Sequence, residues 1–191
     1  MAPQYRSNRP ASGHEQRERR APRPLDPARL NDMALAYVAR FATSAARLEG
    51  YLARKLRERG WEGEREADVP ALVARFVAAG YVDDAAFARA KAGSMNRRGL
   101  GGRRIDQALG AAGIAAPLRE EVRPEPREAR QAAFALARKR RLGPFGAPPA
   151  DRAAREKQVA VLLRAGHRLD MAREVVEAQT IEALEQWVED A

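Results

Sequence analysis

Between Gly99 and Gly102 three glycines stand among four arginines, Arg97, Arg98, Arg103 and Arg104, immediately before an alanine-rich stretch. Glycines and cations ahead of a helix are the chemistry of a phosphate cradle, because backbone amides and the helix dipole both favour an anion there. A dinucleotide-binding turn, however, needs a preceding strand and Gly-x-Gly-x-x-Gly, and Arg104 stands where the third glycine belongs. A Walker-type loop needs Gly-Lys-Ser/Thr, which the sequence lacks. The nucleotide reading therefore fails on local chemistry. What remains is a turn entering a helix that buries Ile105, Ala108, Leu109 and Ala112, with Arg103 and Gln107 facing away and Arg104 at the edge. Cations at a helix N-terminus oppose its dipole, which points toward an outside anion or acidic partner; a solvated basic turn accounts for the same residues.

Other reactive types offer less. Asp83 and Asp84 form a carboxylate pair, but Asp83 is placed to cap a helix and Asp84 to sit in its first turn. The two histidines are isolated, His14 near the N-terminus and His167 after a glycine, so no metal or acid/base constellation forms. Cysteine is absent, excluding disulfides and thiolate chemistry. Arg138, Lys139, Arg140 and Arg141 close another helix, where cations suit the dipole and can extend a basic face. No catalytic residue, metal or cofactor is expected, and an enzyme is not the reading.

The elements that must position these residues are helical. Residues 1–26, with four prolines and six arginines, have little to bury and read as a disordered basic arm. Asp26 and Pro27 then open a helix whose stripe is Leu30, Met33, Ala34, Tyr37, Val38 and Phe41. Thr43 or Ser44 caps a second, carrying Leu48, Leu52 and Leu56 and ended by Gly60. Asp68, Val69 and Pro70 start a third, with Leu72, Val73, Phe76 and Val77, stopped by Gly80. Strand patterns do not appear.

Gly60, Gly113 and Gly166 are 53 residues apart, each four positions after a leucine, which is the mark of an internal repeat. In the third unit Gln158 replaces the apolar Leu52 and Ile105, and the loop "LGPFGAPPADRAAR" is longer. The expected fold is all-α, an elongated tandem array of three three-helix repeats, at 27–80, 81–123 and 124–179, followed by a C-terminal helical extension over 180–191.

A chain of 191 residues that is 45% hydrophobic but only 6% aromatic must build its core from Ala, Leu and Val. Its net charge is +9, with a pI near 10.7, which favours a polyanion or an acidic protein face as neighbour. No apolar run reaches the length of a membrane span and no secretion signal is evident, so a cytoplasmic monomer that avoids membranes is expected.

Three segments carry a resemblance to a known family. "GYVDDAAFA" (Gly80 to Ala88) is similar to the Gly-Tyr-Leu-Asp-Asp-x-x-Phe-Ala element of the RecX family of RecA modulators. "RRGLGGRRIDQALGAAGI" resembles that family's basic, glycine-containing turn followed by Ile, Leu and Gly-Ile, and "TSAARLEGYLARKLRERGW" resembles its first-repeat segment. The likeness spans roughly residues 30 to 178. Departures are the arginine-rich arm, the loop around Pro144 to Pro149 and the alanine-heavy third repeat.

The resemblance implies a protein that lies along the groove of a RecA filament and reduces ATP hydrolysis, strand exchange and support for repressor self-cleavage. The contacts expected from the residues are Arg97, Arg98, Arg103, Arg104 and Gln107, with Lys139, Arg140 and Arg141 in addition. The alternative is a DNA-binding protein of tri-helical, helix-turn-helix-like units. Its basic face would touch single- or double-stranded DNA, although Asp106, Gln107 and Gly110 form a poor base-reading surface.

Overall fold

The computed structural model describes residues 23–191; the basic arm before Arg23 lies outside the described residues. Ten α-helices and one 3-10 turn follow in order. The first unit holds α1 (Pro27–Arg40), α2 (Ala45–Arg59) and α3 (Val69–Ala78). The second holds α4 (Asp84–Arg97), α5 (Gly102–Gly110) and α6 (Ala116–Glu121). The third holds α7 (Pro126–Arg140), the 3-10 turn Gly143–Phe145, α8 (Arg152–Arg164) and α9 (Leu169–Glu177), and α10 (Ile181–Glu189) packs back on α7.

Short polar side chains start most of these helices by accepting first-turn amides that have no partner within the helix. Asp26 accepts from Arg29 N at 2.8 Å, Asp68 from Ala71 N at 2.9 Å, Asp83 from Ala86 N at 2.8 Å and Asp151 from Ala154 N at 2.7 Å. Thr180 does the same for α10. Of the two candidates for α2, Ser44 is the cap. α7 instead starts with Glu128 reaching back to the Glu125 amide at 3.2 Å.

Each unit closes its own apolar cluster. The first gathers around Leu48, Leu52, Leu72 and Phe76, the second around Met95, Ile105 and Leu109, and the third around Leu136, Leu162, Val175 and Leu184. Folding begins slightly earlier than the composition suggests, because Leu25 is fully buried and bonds through its backbone to Gly60 and Glu62, beside Trp61. Two residues expected on buried stripes turn outward: Phe41, just past the end of α1, is 49% exposed and Val77 is 45% exposed.

The equal spacing of the glycines covers unequal helices. α5 has nine residues against fifteen in α2 and thirteen in α8. All three glycines take positive φ, at +79°, +74° and +94°. In the third unit Gln158 and the longer loop belong together, since the Gln158 Oε1 accepts the Gly143 amide at 2.7 Å and anchors the 3-10 turn.

Candidate functional site

The glycine–arginine turn is the joint between the second and third units. A Cβ on Gly99 would stand 3.0 Å from Leu136 Cβ, and one on Gly101 would stand 2.4 Å from the carbonyl group of Gly166. Gly101 N donates to Ala165 O at 2.9 Å and Arg103 N to Gly166 O at 3.2 Å. Free amides at the start of α5 are thus satisfied by free carbonyls at the end of α8, and the two helix dipoles meet head to tail. The Arg104 and Ile105 amides bond to Gly101 O. These donors face protein carbonyls, so the turn is no phosphate cradle, and the dipole of α5 does not call for an external anion.

The joint between the first and second units repeats the device with different chemistry. Ser44 Oγ donates to Ala112 O at 2.5 Å, and Ala45 N donates to Asp84 Oδ1 at 2.8 Å. A Cβ on Gly113 would lie 2.2 Å from that of Ala46. The middle helices α8, α5 and α2 are therefore linked end to start along the array. Asp83 and Asp84 divide the work: Asp83 caps its own helix and Asp84 caps the neighbouring unit's.

His167 seals the second joint. It is 2% exposed, its Nε2 faces the Gly99 carbonyl at 3.0 Å, and its Nδ1 is buried without a partner. Burial pushes the imidazole below the usual histidine range, and the Gly99 hydrogen bond opposes this only in part.

The expected contact residues are all exposed but are not all together. Arg97 ends α4 and Arg98 follows it, its Nε donating to Ser94 O at 3.2 Å. Arg103 and Gln107 line a groove of about 470 Å³ between the second and third units, facing Arg123, Pro124, Arg168 and Met171. Arg104 lies with its backbone against Gly166. Arg97, Arg98 and Arg104 are not on the groove wall, nor are Lys139, Arg140 and Arg141, which finish α7 with Arg141 in the left-handed region at φ 54°. Among the described residues none of the expected arginines and lysines forms an ion pair.

Arg123 and Arg168 were not among the expected contacts. Arg168 directly follows the third glycine motif and could have been found there; Arg123 sits in the α6–α7 link with no local signal. Both are engaged, Arg123 with Glu120 at 2.9 Å and Arg168 with Asp170 at 3.2 Å, and the latter contact lowers the Asp170 carboxyl below its ordinary value. Arg119 bonds Asp106 at 2.8 Å across α5 and α6. Among the described residues no group of histidines and carboxylates is placed to hold a metal ion, and no helix is long and apolar enough to cross a membrane.

Three-helix units chained through glycine joints, with a basic surface and capping carboxylates, define a tandem helical-repeat protein. Comparisons with known proteins place it. The sequence model described as RecX, second three-helix domain, matches residues 83–122. The chain is 34% identical over 173 residues to the Regulatory protein RecX of Myxococcus xanthus (strain DK1622), an alignment covering 86% of this chain and 92% of that one. Its fold is similar to the crystal structure of RecX from Lactobacillus salivarius, with a TM-score of 0.62 at 16% identity, over 86% of this chain and 97% of that one. The chain belongs to the RecX family.

Proposed function

We propose that this protein is a non-enzymatic regulator that binds RecA nucleoprotein filaments and lowers their ATPase, strand-exchange and coprotease activities. The observation that carries this reading is the chaining of α8, α5 and α2 by paired helix ends, which holds three units in one register. Units so held present an extended surface whose charges keep fixed spacings, suited to a periodic partner. The net charge of +9 speeds encounter with a filament that carries DNA and acidic protein faces. Family membership and the identity to a regulatory RecX support the same reading.

Arg97, Arg98, Arg103, Arg104 and Gln107 are the proposed principal contacts, with Lys139, Arg140 and Arg141 extending them along α7. The protein would act as a cytoplasmic monomer, by binding some filament states more tightly than others and so shifting their populations. The test is ATP hydrolysis by RecA on single-stranded DNA, with this protein titrated in at fixed salt and below the concentration at which it binds the bare strand. Suppression supports the reading. No effect on RecA, together with tight salt-sensitive binding to DNA alone, overturns it.

A further inference from the structure

Away from the glycine–arginine joint, a groove of about 520 Å³ runs between α1 and α4. Phe41, Tyr81 and Phe87 line it together with Val38, Ala90 and Lys91. Aromatic residues make up only 6% of the chain, yet two of them are largely exposed here, Phe41 at 49% and Tyr81 at 59%. Burial within their own units does not explain these rings.

The cations around the groove are arranged by its rings. Phe87 holds the Arg47 guanidinium at 5.6 Å and the Lys91 ammonium at 5.8 Å from its centroid, and Arg40 lies 5.5 Å from the centroid of Phe41. None of the three forms an ion pair among the described residues. One carboxylate on the wall, Asp83, is already committed to the Ala86 amide. The ring of Tyr81 leans at 47° on Phe76, and that of Phe41 at 49° on Tyr37. Each ring is therefore braced from beneath while much of its surface stays in solvent.

A ligand that satisfies this surface offers flat apolar faces for Tyr81 and Phe41 and negative charges for the cations held beside the rings. Single-stranded nucleic acid has both: bases stack on aromatic rings, and phosphates meet cations. We propose that the groove between α1 and α4 is a stacking site for single-stranded nucleic acid. Bases would rest on Tyr81 and Phe41, and phosphates would meet Arg40, Arg47 and Lys91. This site is separate from the arginines proposed to contact the filament, and strand binding is measured without recombinase.

The experiment is fluorescence anisotropy of a labelled oligo-dT strand with the full chain at low salt, beside an abasic strand of the same length. The wild-type chain is expected to bind oligo-dT more tightly than the abasic strand. The Phe41→Ala/Tyr81→Ala double variant should lose about tenfold or more in oligo-dT affinity, the range expected for removing base stacking. Tyr81→Phe should keep most of it, and far-UV circular dichroism should show both variants folded. Arg47→Gln with Lys91→Gln should flatten the dependence of log affinity on log salt by about 0.7 for each phosphate no longer neutralised. Equal binding to the two strands, or a double variant that binds like wild type, would overturn the proposal. It would also fail if the double variant lost RecA suppression with its strand affinity unchanged, since the face would then belong to a protein contact.

Discussion

The Nε2 of His167 meets the carbonyl of Gly99 at 3.0 Å, joining the third unit to the second through a buried imidazole. The contact fixes the tautomer: Nε2 carries the proton and Nδ1 bears the lone pair. A neutral ring suits this site, and a charged one does not.

Stability should depend on pH through this ring. Its pKa in the fold lies below the ordinary 6.5, so the unfolded chain takes up the proton first as pH falls. The contribution is complete above about 6.5 and is lost from there down toward the lowered folded value, with a limiting slope of about 1.4 kcal/mol per pH unit. Denaturant unfolding of wild type and His167→Leu between about pH 7.5 and 5.5 checks this. The variant should be less stable at the upper end of that range by about 1–2 kcal/mol, because Gly99 O loses its donor, and its stability should change less with pH.

Two glycine substitutions should act in opposite directions. Gly101→Ala puts a methyl 2.4 Å from the Gly166 carbonyl group and should cost about 2 kcal/mol or more by forcing the units apart. Gly50→Ala, inside α2 with nothing within 4 Å of its Cβ, should stabilise by about 1 kcal/mol. Thermal unfolding of both variants reads the difference.

The first joint should behave as a coupled unit. Ser44→Ala removes the cap of α2 and the bond to Ala112 O together, and should cost about 1–2 kcal/mol. Asp84→Ala removes the acceptor of the adjacent Ala45 amide. A double-mutant cycle by denaturant unfolding should show non-additivity of about 0.5 kcal/mol or more, as expected for groups sharing one interface.

Replacing Arg97, Arg98, Arg103 and Arg104 by alanine should raise the protein concentration for half-maximal suppression of RecA ATPase by about tenfold. Helicity by circular dichroism should be retained, because all four side chains are exposed. Unchanged suppression would remove this patch from the contact surface.

Much of the fold was legible because its rules are local. Asp26, Asp68 and Asp83 announce helix starts wherever a short carboxylate can accept first-turn amides, and the leucine–glycine pattern marks helix ends. The buried stripe through Ile105 and Leu109 follows from helical periodicity. Phe41 and Val77 escaped this logic, since periodicity tells which face of a helix is apolar but not where the neighbouring helix stops covering it.

The sequence by itself determined an all-α array of repeated units, a basic surface and a family likeness, because each rests on residue type and spacing along the chain. Tertiary structure alone decided what the glycine–arginine turn is for. Its glycines admit Leu136 and the Gly166 carbonyl, and its amides close the end of α8. It also decided that Asp84 serves another unit's helix, that Arg103 shares a groove with Arg123 and Arg168, and that Tyr81 and Phe41 line one surface. These relations join residues far apart in the chain, and they exist only once the helix ends meet in space.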